Sequence, residues 1–477
     1  MAPSLPRLST MGFVLSTLYF VIYYVTPTTL LGPLASLHVE LILAVLLLVV
    51  SVPTLLKSFT LKTPQSLALV GMAFAVFLSV LIGQSWPGGA IYSLLSFIPS
   101  IFAYFLVCLH CNTKKKLQVL ILMLLFVSLF VIAHGYSDLL RGVPESGPTR
   151  PDVPENARIT VWDIEHPYLL AMPDGEGGWF YRLRGLGDIN DPNDFGQVTV
   201  CVIPLMFIFW RKGKTLFNFL CVIVPDCLLL FGIFLTHSRG ALLALTATAV
   251  VAGRRRIGTI PSLILAGVLF VGASAANFTG GRDISATAGA DRTGLWGLGL
   301  EMLKSHPVFG VGFGDFKDNC GCGHTAHNSI LVTAGELGLF GLFFWCLFLF
   351  PTIRDALVIA SPKMVEEGPP PVPEESFYPQ AERKAEVLDK AEINRLGTLI
   401  LLSLTGFLVA GFFLSRAYVL TLFLLGGMAE AIFEMGVRRG MIVPRMAASR
   451  VLQYSAALTL FLVLMMYVVV RVLNVAR

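Results

Sequence analysis

The sequence predicts an all-α polytopic membrane protein of about 12–13 transmembrane helices, with outer loops forming the active-site region. Three observations predict it. Apolar residues make up 55% of the 477-residue chain and charged residues only 14%, at a mean hydropathy of +0.75, a balance foreign to soluble domains. Apolar windows of roughly 18–22 residues, enough to cross about 30 Å of hydrocarbon, recur along the chain. They lie near 12–31, 36–55, 66–85, 90–109, 117–134, 194–210, 216–236, 240–252, 258–276, 329–351, 396–414, 417–435 and 451–471. Finally, Lys57 and Lys62, Lys114 to Lys116, Arg211 to Lys214, Arg254 to Arg256, and Arg438, Arg439, Arg445 and Arg450 occupy alternate loops. The positive-inside rule makes those loops cytoplasmic. The Trp86 loop, residues 135–193 and residues 277–327 then lie outside. The same bias accounts for the net charge of +5, so no nucleic-acid partner is needed to explain it.

Residues 1–134 read as an N-terminal transmembrane scaffold of five spans, with Glu40 near a helix end. The first apolar segment has only Arg7 before it and runs into another span, so it reads as a retained helix rather than a cleaved leader. Cys108, Cys111, Cys201, Cys221, Cys227 and Cys346 fall in or beside spans, where a thiol behaves as a small apolar group. Cys320 and Cys322 face outside.

The outer loop, 135–193, is rich in Pro, Gly, Asp and Glu, which suits a solvated loop with local turns rather than a packed unit. It closes on YRLRGLGDINDPNDFG, where Arg182, Arg184, Asp191, Pro192, Asn193 and Asp194 lead into a span. That stretch reads either as a helix cap with interfacial arginines or as part of a site. Residues 194–276 hold the next transmembrane helices. Pro225 and Asp226 at mid-span predict a kink and a buried carboxylate in need of a partner. The apolar part that follows, from Arg239 to Gly253, is about 15 residues or about 22 Å as a helix. Arg239 is therefore drawn below the outer surface, where an arginine costs about 2.5 kcal/mol or more and pairs, snorkels or serves a site.

The outer catalytic loop, 277–327, carries Arg282, Asp291, Arg292 and a short amphipathic helix from Gly294 to Ser305 that turns Leu295, Trp296, Leu298, Leu300 and Met302 to the membrane. Pro307 ends it. Gly310, Gly312 and Gly314 follow no strand and lack a GK pair, so they read as a tight turn and not a phosphate loop. NCGCGHTAH at 319–327 has two thiols and two imidazoles at metal-like spacing. On an oxidising face, paired thiols become disulfides more often than metal ligands, so Cys320 and Cys322 read as a redox pair or two free thiols, with no metal and with His324 solvated. His327 differs, because Asn328 or Ser329 caps the transmembrane helix 328–351. At a helix N-terminus the dipole disfavours imidazolium, so the ring stays neutral and can accept a proton, while free N–H groups can hold an anion. Glu336, about 13 Å deeper, reads as structural. Residues 352–395 are a cytoplasmic linker with the run GPPPVPEE and with Glu386 and Lys390 four apart. The C-terminal transmembrane helices, 396–477, carry Arg416, Glu430 and Glu434, with Arg416 at the outer end as an interfacial arginine.

Several motifs then line up. TxSRGA at 236–241, Arg292 followed by Trp296, HPxxGVGxGxF at 306–316, and HNSxL with ELGLxG at 327–341 together resemble the motif core of the O-antigen ligase-like superfamily. RxxGxxxDPND at 184–194 resembles the turn before a span in its polymerase-like members. The resemblance implies a membrane glycosyltransferase of O-antigen ligase or polysaccharide polymerase type. Such an enzyme moves a glycan from an undecaprenyl diphosphate carrier to an acceptor hydroxyl on a lipid, glycan or protein. It works at the periplasmic face of the bacterial inner membrane, without metal or other cofactor. The same resemblance puts donor diphosphate recognition on Arg239 and Arg292 and acceptor activation on His327, with Arg184, Asn193 and Asn328 as further substrate-binding candidates. The CGCGH segment and the long cytoplasmic insert depart from the family pattern. Independently of family, a diphosphate leaving group needs fixed positive charge, which arginine's forked donors supply, and a hydroxyl nucleophile needs a base at neutral pH. The alternative is a polysaccharide or lipid transporter or flippase of the envelope. Against it, no matched pair of broken spans recurs in the two halves, and the polar residues gather at one face.

Overall fold

The computed structural model describes residues 5–26, 39–55, 63–143, 148, 158–173, 178–275, 278, 286–361, 390–438, 440–441 and 445–475. Lys57, Lys62, Arg282, Arg439, Glu386 and the Pro-rich run at 368–375 lie outside the described residues. The chain is all-α apart from one two-stranded hairpin among the described residues. Each apolar window has a helix at its centre. Nine helices among the described residues are long and apolar enough to cross a membrane, with three shorter apolar helices beside them. In chain order the helices are α1 (Leu5–Val25), α2 (Val39–Leu55), α3 (Pro64–Gly83), α4 (Pro87–His110), α5 (Lys114–Leu140) and α6 (Arg158–Glu165). After the hairpin come α7 (Pro192–Met206), α8 (Thr215–Thr236), α9 (Arg239–Ile257), α10 (Thr259–Ala275) and α11 (Ala286–Ser305). The last are α12 (Phe316–Cys320), α13 (Ser329–Ile359), α14 (Lys390–Gly411), α15 (Leu420–Arg438) and α16 (Ala448–Val475).

Side-chain oxygens fix where several helices begin, because each satisfies an N–H group that the first turn leaves open. Thr63 caps α3 and Thr113 caps α5. Asp191, Ser238 and Asn328 cap α7, α9 and α13. Burial sorts the bundle: the central window of α15 is 94% buried, whereas that of α16 is 17% buried. The exposed large side chains, among them Leu41, Val49, Leu95, Val268 and Leu464, are what a lipid-facing surface requires. Inside lipid each spanning segment must satisfy its own backbone, which a helix does.

One span breaks that rule. In α13, Gly338 has φ 64° and ψ −166°, which interrupts the helix. The open backbone is satisfied from outside by the loop after α11. The N–H groups of Leu339 and Phe340 donate to the carbonyls of Pro307 and Val308, and those of Val311 and Gly312 donate to the carbonyls of Gly335 and Glu336. A side chain at Gly338 would put a carbon 2.3 Å from the Val308 oxygen, and one at Gly310 the same distance from the Glu336 carbonyl. The three glycines 310, 312 and 314 all have positive φ. Their turn is therefore tight, as the sequence predicts, but it is pressed into a broken helix rather than lying free.

Three further expectations change. The 135–193 segment is not only loop: α5 runs on to Leu140, α6 follows, and β1 (Leu169–Pro173) pairs antiparallel with β2 (Trp179–Leu183). Tyr168, Leu169, Leu183 and Trp162 are buried there, so a few aromatic and aliphatic side chains suffice to pack a small cap. The helix before Pro307 begins at Ala286, not Gly294, and Trp296 and Met302 are buried. They face α13 and its surroundings instead of the membrane. Asp226 is buried, but its Oδ1 finds no hydrogen-bond partner among the described residues.

Candidate active site

Four chain segments meet where α7, α9 and α13 begin and α14 ends. The first is the turn before α9. Thr236 Oγ donates to the Ile233 carbonyl and accepts the Ser238 N–H, while Ser238 Oγ caps Ala241 N–H. His237 takes the left-handed conformation at φ 48°, a strained choice for a residue with a side chain that functional turns often retain. Asn193 holds the turn from α7: its Oδ1 accepts both Ser238 Oγ–H at 2.8 Å and Arg182 Nη2–H at 3.0 Å. Arg182, buried in β2, also donates Nε–H to the Thr236 carbonyl. This frame sets the root of Arg239. Arg184, just after β2, donates to the Pro167 carbonyl and pairs with Asp163 at 2.6 Å, bracing the cap.

The second cluster holds His327. Trp296 of α11 donates its indole N–H to the Ala326 carbonyl at 3.0 Å, and the His327 backbone N–H donates to Ser415 Oγ at 2.9 Å. His327 itself has φ 48°. Asn328, fully buried, accepts the N–H groups of Ile330 and Leu331 through Oδ1 and donates Nδ2–H to the Phe412 carbonyl. Ser329 Oγ donates to the Leu414 carbonyl and accepts the Arg416 N–H. The α14–α15 turn is thus the floor on which His327 stands. Beneath the loop, Glu336 accepts the Phe316 N–H at 3.4 Å, a structural role as the sequence suggests.

Electrostatics link the clusters. The charge of Arg239 acts on Arg292, and that of Arg292 acts on His327. Burial, then the neighbouring Arg239, holds the Arg292 guanidinium below its ordinary value. Among the described residues Arg292 forms no ion pair. Burial also pushes the His327 imidazole down, with Arg292, His324 and Lys317 adding to the effect and Asp191 opposing it. A neutral imidazole beside a cationic patch can accept a proton, and the patch itself can take a doubly charged anion.

Arg416 is a residue that sequence reading undervalues. It pairs with Asp188 at 3.4 Å and with Asp194, whereas the sequence suggests only an interfacial arginine. Its partners lie more than 200 positions away, so no local pattern marks them. Ser415 escapes notice because its partner His327 lies 88 positions away, and Trp296, noted in sequence as a motif residue on a membrane face, instead donates to Ala326, 30 positions on. Cys320 and Cys322 are joined in a disulfide with Cα atoms 5.1 Å apart. Among the described residues no group of three or more His, Cys, Asp or Glu side chains is placed to hold a metal.

A bundle of membrane-length helices with two arginines and a half-buried imidazole near one end defines the class of a polytopic membrane protein. Residues 226–346 match the family described as O-Antigen ligase. The match supports the chain's place in the O-antigen ligase-like superfamily and indicates a glycosyltransferase-like enzyme. The matched segment contains Arg239, Arg292, His327 and Asn328, while Arg184 and Asn193 precede it. No curated protein matches the chain.

Proposed function

We propose that the protein transfers a glycan from an undecaprenyl diphosphate carrier to an acceptor hydroxyl at the periplasmic face of the inner membrane, without a metal. The observation that carries this reading is the electrostatic chain from Arg239 at the start of α9, through Arg292 in the second turn of α11, to His327 before α13. Arg239 and Arg292 hold the diphosphate. His327 takes the proton of the acceptor hydroxyl, whose oxygen attacks the anomeric carbon. As that bond forms, the bond from the anomeric carbon to the phosphate oxygen breaks, and undecaprenyl diphosphate leaves with its charge held by the arginines. Fixed donors aimed at developing charge need no reorganisation during reaction. Asn193 and Asn328 serve substrate binding by fixing the roots of Arg239 and His327, and Arg184 by bracing the cap above them.

The test is purified protein with a lipid-diphosphate glycan and lipid, glycan and protein acceptors in turn, with donor affinity measured beside transfer rate. His327→Ala is expected to bind donor and fail to transfer. Near-normal transfer by that variant removes the histidine from the mechanism. Sidedness is read separately with an impermeant thiol reagent on intact cells. In a background lacking Cys320 and Cys322, Asn319→Cys is expected to label and Lys212→Cys to stay protected; the reverse pattern inverts the orientation.

A further inference from the structure

Three aspartates precede or open α7, and their partners differ. Asp188 and Asp194 are both taken up by Arg416. Asp191, midway between them, forms no salt bridge among the described residues. Its Oδ1 accepts the Asn193 N–H at 2.7 Å, which caps α7. The cap fixes the carboxylate in place, and Arg416 fixes the same patch against His327. Ser415 Oγ takes the His327 N–H, and the Arg416 N–H goes to Ser329, two residues beyond His327. The charge of Asp191 acts on both Arg416 and His327.

The fixed charges that also act on His327 are positive, Arg292 from α11 and Lys317 from α12, and a second imidazole, His324, stands in the loop. An imidazole that accepts a proton there becomes a cation among cations. Without an opposing anion that step is uphill. We infer that Asp191 is the counter-charge of His327, a positioning residue that stabilises the imidazolium formed when the acceptor hydroxyl gives up its proton. The inference rests on the reading of His327 as the base. It balances simply, since the proton taken from the hydroxyl stays on the imidazole. The role is that of the carboxylate in any His–carboxylate pair, here exerted across the α7–α13 junction.

Asp191→Asn separates charge from structure, because asparagine caps a helix as well as aspartate does. Its transfer rate at neutral pH is expected to fall by roughly three- to ten-fold, since the base weakens while the proton is still in flight. The acid limb of its rate profile is expected to move to lower pH by roughly half a unit to a unit, as His327 loses its one strong anion. Donor affinity and melting temperature are expected to stay close to those of the parent. Asp191→Glu keeps the charge and spoils the cap, so it is expected to turn over faster than Asp191→Asn yet melt earlier. If asparagine perturbs folding, Asp191→Ser gives the same comparison, being a good cap without charge. An unmoved acid limb in Asp191→Asn, or glutamate as the slower of the two, overturns the inference and leaves Asp191 a cap. Loss of transfer in His327→Ala alongside such a result keeps the reading of the base intact, whereas normal transfer in His327→Ala removes that reading itself.

Discussion

Two arginines, one at each end of the bundle, show what charge balance does to the same side chain. Arg445 sits among Glu430, Glu434 at 3.1 Å and Asp355 at 3.6 Å, with Gln65 Oε1 at 3.4 Å and the Phe433 ring below. Burial alone would depress it, but the carboxylates hold its guanidinium above the ordinary range. Arg292 is also largely removed from water, yet burial and Arg239 hold it below that range. Arg445 is enclosed by carboxylates, whereas among the described residues Arg292 pairs with none. The first is a clasp that joins α3, α13 and α15; the second, on the proposed reaction, is a socket for the donor diphosphate.

The largest expected effect breaks the comparison at the socket. His327→Ala is expected to lower transfer by roughly 10² to 10⁴ while donor affinity changes little, because a base acts mainly in the transition state. At the clasp, Arg445→Met leaves Glu430 and its neighbours uncompensated. It is expected to cost about 3–5 kcal/mol of stability, read by thermal unfolding in detergent, with the per-molecule transfer rate of the folded fraction unchanged. Equal losses of rate and stability in both variants would erase the distinction between clasp and socket.

Smaller changes sharpen it. Arg292→Lys keeps the charge and loses the fork that matches a diphosphate, so weaker donor binding and slower transfer, each by about ten-fold, are expected together. The pH dependence carries a definite sign. Because His327 is held below its ordinary value of about 6.5, the ring stays neutral through pH 7, and the rate is expected to fall only as pH drops through that lowered value. A limb above pH 7 would contradict the burial and cationic surroundings of the ring. Least of all, replacing both Cys320 and Cys322 with serine is expected to leave the maximal rate intact. Transfer is likewise expected to survive a chelator; restoration of a chelator-treated enzyme by zinc would revive a metal role for CGCGH.

Much of the fold was legible because each span is a local fact, a run of apolar residues of one length. Arg239 and His327 stand out in sequence as motif residues at helix starts, where cap chemistry follows from neighbours, whereas Arg292, read as preceding a helix, lies in the second turn of α11. What escaped depends on distant pairing. The break at Gly338 carries no local mark beyond the glycine itself, and the backbone groups of Pro307, Val308, Val311 and Gly312, some 30 positions earlier, make it tolerable. Trp296 carries the spacing of an amphipathic face, yet its indole is spent on Ala326. Arg416 resembles a lone surface charge until Asp188 and Asp194 arrive from the other side of α7. The cap at 158–183 was hidden by its Pro, Gly and acidic content, which outweighs two five-residue strands in any composition window.

The segment between Phe316 and Ala326 is pinned at both ends and nowhere else so firmly: Phe316 is buried and hangs from Glu336, and Ala326 is buried and held by Trp296. Its middle, residues 317–319, 321, 323 and 324, is exposed. A disturbance in the middle of this span is therefore absorbed at its two anchors before it reaches the backbone of His327, as a shock is absorbed at the abutments of a bridge.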